Sequence, residues 1–429
     1  MTVAPSPPLW PAPVAEGGVR ATVQVPGSKS ITNRALVLAA IATAPTVLHR
    51  PLVSRDATLM ADALRALGVA VEQAEDRWTV TPAPLRGPAQ VDVGLAGTVM
   101  RFVPPLAALA DGAVTFDGDA RARQRPLAPL IDALRSLGAT IDDGGRGGLP
   151  LTVVGAGGLA GGEVGIDASS SSQLLSALLL SAPRFQDGLS VRHSGGRMPS
   201  APFIDLSVAM LRARGVHVDV AERQWAVRAG EVAGGEVQVE PDLSSAAPFL
   251  AAALVAGGEV RLRNWPRTSM QAGAATPAVL TAMGAHVAFD GDDLVVTGDG
   301  TISGVDIDLV DNPELACVLA AVAAVATTPS HLRGIGHLRG HETDRLAALA
   351  TELTGLGAKV TEHDDSLTIE PATLHGGVFR TYDDHRLAMA AAVLGLVVPG
   401  VLVENVETAG KTYPGFAQQW TAAVTGEHA

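Results

Sequence analysis

Two helical patterns alternate along the 429-residue chain, and both recur. The first is amphipathic and ends in a glycine followed by a strand-like run. Its copies read DALRALGVAV (Gly68), DALRSLGATI (Gly138), AMLRARGVHV (Gly215), VLTAMGAHV (Gly284) and ELTGLGAKV (Gly357). These glycines lie roughly 70 to 77 residues apart, a period that marks one supersecondary unit repeated along the chain. Each stands where a helix end needs positive φ before the chain turns into a strand. The second pattern is an almost wholly apolar, Ala/Leu-rich helix beginning near Ser30, Thr98, Gln173, Ser245, Pro313 and His385. A β-rich segment follows each copy: TVLHR, AVTFD, LSVRH, EVRLR, SHLRG and VLVEN. Helices that are apolar all round require enclosure, whereas the amphipathic ones fit nearer the surface.

Six units result, the last truncated, because its amphipathic helix over residues 416–424 runs into the C-terminus. Residues 18–25, GVRATVQV, are strand-like and otherwise unpartnered. The sequence therefore predicts two domains of three units each. One spans residues 26–240. The other combines 1–25 with 241–429, and the N-terminal strand is expected to complete its sixth unit.

The polar residues that interrupt the apolar pattern gather at the starts of the six apolar helices: PGSKSITNR, LAGTVMR, SSSSQ, PDLSSAA, DNPE and YDDHR. A helix start carries unpaired N–H groups and the positive end of the macrodipole, which suits an anion. Ordinary capping accounts for Asp242, Ser244, Ser245 and Asn312–Pro313. It does not account for Lys29, Arg34, Gln173 or Arg386, which add charge or donors that no cap requires. Other motifs fail. GSKS lacks the spacing of a phosphate-binding Walker loop, and HETDR places Arg345 where a zincin needs a second His. His337 and His341 share an i, i+4 spacing without an evident third ligand, so no metal is expected.

A net charge of −13 disfavours nucleic acid and anionic membrane surfaces as partners, while leaving room for small anions at locally positive sites. The single cysteine, Cys317, lies in the apolar run 315–325 and reads as a buried, inert thiol. The Pro-rich start lacks a signal-peptide pattern, and no apolar run reaches a membrane span. A soluble, cytoplasmic protein is the expectation.

Taken in order, PGSKSITNRAL, LAGTVMR, RQRPL, SSSSQLLSALL, HETDR, YDDHRLAMA and GKTYP resemble the signature set of the 5-enolpyruvylshikimate-3-phosphate synthase family, from about Pro26 to Phe416. The resemblance implies an α/β fold: a two-domain inside-out α/β barrel, each domain made of three inverted βαβαββ repeats around enclosed parallel helices. It implies transfer of an enolpyruvyl group from phosphoenolpyruvate to the 5-hydroxyl of shikimate 3-phosphate, with release of phosphate, in aromatic amino-acid biosynthesis. No metal or organic cofactor is implied, and a monomer is expected. By position, Lys29, Ser30, Arg34, Ser171, Ser172 and Ser200 would hold shikimate 3-phosphate. Gly97, Arg125, Arg345, Arg386 and Lys411 would hold phosphoenolpyruvate, with Lys29 and Gln173 touching both. Glu342 would stand at the methylene carbon with Lys29 and His385 nearby, and Glu314 would be the base for the shikimate hydroxyl.

Four positions depart from the commoner family spelling. Glu314 replaces Asp, His341 replaces Lys, His337 replaces Asn and Phe203 replaces Tyr. Glu314 and His341 are expected to act as one coupled unit at the shikimate hydroxyls, the longer acid offsetting the shorter base. Gly97 leaves space that predicts inhibition by glyphosate, although FVPPL after Arg101 is an unusual spelling. Two alternatives stand beside this reading. One is the sister enzyme that transfers enolpyruvate to UDP-N-acetylglucosamine, which typically uses a loop cysteine unlike Cys317. The other is a noncatalytic phosphometabolite-binding protein, for which the set Lys29, Glu314, Glu342 and Lys411 would be superfluous.

Overall fold

The computed structural model describes residues 7–426. The chain divides into two compact units, Gly27–Glu240 and Met1–Pro26 with Pro241–Ala429. Each is α/β, with its apolar helices inside and its sheets outside.

In the Gly27–Glu240 unit the helices Lys29–Ala40, Gly97–Leu109 and Ser172–Ser181 are buried along nearly their whole length. In the other unit Leu243–Val255, Ala316–Ala324 and His385–Gly395 occupy the same role. Every residue of Leu243–Val255 is buried, and each large aliphatic side chain so enclosed contributes about 1.5–3 kcal/mol. The amphipathic helices end as expected. Gly68, Gly138, Gly215, Gly284 and Gly357 have φ of 95°, 100°, 81°, 117° and 97°. There the chain leaves the helix in a conformation that a Cβ would oppose.

The described strands form five four-stranded sheets and one three-stranded sheet. A typical repeat runs strand Ala89–Asp92, buried helix Gly97–Leu109, strand Asp111–Asp117, with the two strands parallel and Ala89 opposite Val114. Two strands exchange partners. Gly235–Gln238 pairs in parallel with Thr46–His49, and Val19–Val23 pairs in parallel with Gly258–Leu262. The N-terminal strand thus completes the fourth repeat, not the sixth as its position in sequence suggested. The sixth is instead extended by Leu9–Pro11, antiparallel to Val401–Glu404. This short segment is proline-flanked, and Pro11 is acceptable there because the strand lies at a sheet edge, where one row of N–H groups is not needed. Among the described residues no helix is long and apolar enough to cross a membrane.

Candidate functional site

The Gly27–Glu240 unit offers three helix starts. Ser28 caps the first by accepting from Ile31 N–H, so Lys29 heads the helix, with Nζ 3.4 Å from the buried Asp56 carboxylate. Arg34, one turn further, is 1% exposed and turns inward. Its guanidinium donates to Ser207 Oγ (2.8 Å), Ser30 O (3.1 Å) and Phe203 O (3.2 Å). It also lies between the Phe102 and Phe203 rings, 5.2 and 5.4 Å from their centroids. The Tyr-to-Phe departure at 203 therefore leaves an aromatic face on a cation, an interaction that needs no hydroxyl.

Gly97 opens the second helix without a side-chain cap. Two guanidiniums occupy the space beside it. A Cβ at Gly97 would come within 2.9 Å of both Arg101 Nη1 and Arg125 Nη2. Arg125 donates from Nη1 to Leu95 O at 3.2 Å, and its buried Nε has no hydrogen-bond partner among the described residues. Arg101 donates to Gln173 Oε1 at 3.1 Å. Gln173 belongs to the third helix, where Ser171 is the cap and accepts from Gln173 N–H at 3.3 Å. Gly97 and Gln173, expected from the sequence, are thus joined through Arg101, which was not, while Arg125 lies beside the same glycine. The only sequence signal for Arg101 was an arginine one turn into an otherwise apolar helix.

A second residue outside the expected set is His193, 4% exposed. Its Nδ1 accepts from Ala168 N–H at 3.2 Å, and its Nε2 lies 2.8 Å from Gly196 O. Nδ1 also lies 3.3 Å from Ile166 O. The ring links the turn leading to Ser171 and Ser172 with the turn leading to Ser200. Ser200 sits at φ 56°, where its carbonyl accepts from Phe203 N–H to start the next helix.

The other unit concentrates charge. Glu342 accepts from Lys411 Nζ at 2.6 Å and from Arg345 Nη2 at 3.1 Å. Arg345 grips Asp384 with Nε and Nη2, at 2.8 and 3.2 Å. Asp384 also caps the helix His385–Gly395 by accepting from Arg386 N–H at 2.8 Å. Arg386 turns back to Ser244 O at 2.9 Å. His341 Nδ1 lies 3.4 Å from Arg345 Nη1 and 3.9 Å from Glu342, with its ring edge-on to His337. Glu342, Arg345, Asp384, His385 and Arg386 are all buried. Burial alone would pull the Arg345 guanidinium down, but Asp384 and Glu342 outweigh it and hold it above its usual value. Such a cluster tolerates burial because Glu342 and Asp384 each face a cation and Arg386 has a directed hydrogen bond to a carbonyl.

Glu314 stands apart in character. Its Oε2 is buried without a hydrogen-bond partner among the described residues, and burial pushes its carboxyl up, partly opposed by the positive charge of Arg386. Cys317 is buried and its thiol is pushed up to about 12, so it is no nucleophile at neutral pH.

A family model described as EPSP synthase (3-phosphoshikimate 1-carboxyvinyltransferase) matches residues 14–420. A 3-phosphoshikimate 1-carboxyvinyltransferase of Kocuria rhizophila is 52% identical over 432 residues, covering 98% of this chain and 97% of that protein. Among solved structures, an EPSP synthase from Acinetobacter baumannii superposes with a TM-score of 0.78 at 26% identity, covering 96% of this chain and 97% of the other. The enolpyruvyl transferase NikO from Streptomyces tendae, at 18% identity, shares the fold with a TM-score of 0.75 over 98% of both chains.

Proposed function

Because the chain belongs to the EPSP synthase (3-phosphoshikimate 1-carboxyvinyltransferase) family, we propose that its buried charge cluster and its helix starts divide the work of 1-carboxyvinyl transfer to shikimate 3-phosphate. The donor is phosphoenolpyruvate and the second product is phosphate. The observation that carries the assignment of roles is Glu342, a buried carboxylate bonded at once to Lys411 and Arg345.

In the first step a proton reaches the methylene carbon of phosphoenolpyruvate while the 5-hydroxyl oxygen bonds to the adjacent carbon and loses its own proton. Glu342 is the group at the methylene, and the 2.6 Å bond from Lys411 gives it a path for recharging. Glu314 takes the hydroxyl proton, since a carboxylate whose charge is penalised by burial has a strong tendency to accept one. Lys29 and His385 complete the acid–base set. In the second step the new methyl group loses a proton, and the bond to the phosphate oxygen breaks.

Arg345, Arg386, Lys411, Arg125 and the open edge of Gly97 suit the carboxylate and phosphate of phosphoenolpyruvate, because guanidiniums hold both in forked geometry. Lys29, Ser30, Ser171, Ser172, Gln173 and Ser200 suit shikimate 3-phosphate, with Lys29 and Gln173 serving both ligands. Arg34 serves the same ligand, beginning from the inward bonds described above. The protein works as a cytoplasmic monomer, and its net charge of −13 supports action without nucleic acid or membrane partners.

Phosphate release from phosphoenolpyruvate plus shikimate 3-phosphate tests this. Rapid release that fails in Lys29→Met and Glu342→Gln supports the roles. Release with UDP-N-acetylglucosamine instead, or full activity in either variant, would overturn them.

A further inference from the structure

One buried carboxylate has no part in the steps above. Glu352 is 3% exposed, and both of its oxygens are engaged. Its Oε2 accepts from Arg380 N–H at 2.9 Å, and its Oε1 accepts from the Tyr382 hydroxyl at 2.6 Å. Both donors belong to the turn that leads into Asp384, His385 and Arg386.

That turn needs holding. Tyr382 and Asp383 are consecutive non-glycine residues in the left-handed region, at φ 52° and 55°. Such residues are disfavoured unless their surroundings fix them. Asn405, itself at φ 50°, donates from Nδ2 to Asp383 at 2.8 Å, and Asp384 N–H closes the turn on Thr381 O at 2.8 Å. Glu352 supplies the remaining grip. It lies on the helix Arg345–Gly355, seven residues after Arg345 and hence on the same face two turns on. One helix face therefore seizes the turn twice, through Arg345 on Asp384 and through Glu352 on Arg380 and Tyr382.

We infer that Glu352 is a positioning residue for phosphoenolpyruvate capture: it fixes the turn at 380–384 and thereby the placement of Asp384, His385 and Arg386 relative to Arg345. It touches no substrate in this scheme. The inference rests on the assignment of Arg345 and Arg386 to phosphoenolpyruvate. A carboxylate is required because only it accepts at both oxygens. An amide would turn an NH2 group toward one of the two donors.

The test is steady-state kinetics on Glu352→Gln, Tyr382→Phe and the double variant, with thermal melts to check folding. Wild-type turnover establishes the underlying activity separately. If that is absent, the reading itself fails and this inference falls with it. With turnover present, Glu352→Gln should raise KM for phosphoenolpyruvate about tenfold, since misplacing a binding group has effects of that order. KM for shikimate 3-phosphate should stay within about twofold, because its proposed ligands lie on other elements. Tyr382→Phe should reproduce part of the effect, and the double variant should be no worse than Glu352→Gln, since both act on one contact. A purely stabilising role would lower the melting temperature and leave the ratio of the two KM values unchanged. That result overturns the inference, as does an unchanged KM for phosphoenolpyruvate. Tyr382→Phe decides the matter in the same terms if Glu352→Gln does not fold.

Discussion

Arg345 and Asp384 meet through two hydrogen bonds, Nε to Oδ2 at 2.8 Å and Nη2 to Oδ1 at 3.2 Å, with side chains 3% and 0% exposed. Water cannot replace either partner. Asp384→Ala strands a buried guanidinium beside Glu342 alone and removes the cap on Arg386 N–H. We expect a loss of about 3–5 kcal/mol in urea unfolding, the usual range when one half of a buried pair is deleted. Arg345→Met with Asp384→Leu should cost less than the sum of the single changes, because neither half of the pair is left without the other and Glu342 keeps Lys411. Additive losses would mean that the two residues are not energetically coupled.

Gly97 tests the assignment of Arg125 to phosphoenolpyruvate. A Cβ there meets only the ends of flexible side chains, Arg101 Nη1 and Arg125 Nη2, each at 2.9 Å. Gly97→Ala should therefore fold, with its melting temperature lowered by no more than about 4 °C. The guanidiniums must shift by tenths of an ångström, which should raise KM for phosphoenolpyruvate about tenfold and leave KM for shikimate 3-phosphate nearly unchanged. Equal changes in both would place Arg125 outside the phosphoenolpyruvate site.

Much of this architecture was legible in the chain. The six enclosed helices and the positive-φ glycines follow from periodicity and backbone sterics, which are local properties. The exchange of Val19–Val23 onto Gly258–Leu262 was not legible, because strand pairing is non-local and alternation fixes a face but not a neighbour. Leu9–Pro11 was hidden by its prolines. At the site, Lys29, Gln173 and Arg386 stood out at helix starts as charge or donors that no cap requires. Glu352 did not, since a glutamate on an amphipathic helix reads as solvated surface, and only the fold brings Tyr382 to it. Asp344 and Asp384 are both helix caps, yet Asp384 is also the partner of Arg345.

Arg101 was likewise hidden, and it carries a prediction of its own. It donates from Nη1 to both Gln173 Oε1, at 3.1 Å, and Gly97 O, at 3.3 Å. Lysine keeps the charge but lacks the planar fork that aims fixed donors at separate acceptors. Arg101→Lys should lower kcat/KM by about tenfold, the equivalent of one well-placed hydrogen bond. Gln173→Ala in that background should cost less than it does alone, because the lysine variant has already released Gln173. Independent effects on kcat/KM would show that Gln173 holds its place without Arg101.

His337 gives the fold a dependence on acid. Burial, aided by the charge of Arg345 and opposed by Asp365, lowers its imidazole from 6.5 to about 4. Its buried Nε2 has no hydrogen-bond partner among the described residues. The unfolded chain therefore takes up a proton on this residue near pH 6.5, whereas the folded chain resists until about pH 4. Since the unfolded state binds more protons across that window, stability from this group is present above pH 6.5 and falls as the pH drops toward 4. The loss should be on the order of 3 kcal/mol, because each tenfold difference in proton affinity between the two states is worth about 1.4 kcal/mol. His337→Asn removes the titrating ring and keeps polar atoms of similar reach. Urea unfolding of both proteins between pH 4 and pH 7 should show a shallower decline in the variant, by most of that amount. Parallel curves would mean that His337 is protonated in the folded protein as readily as in the unfolded chain, and that acid acts on stability through other groups.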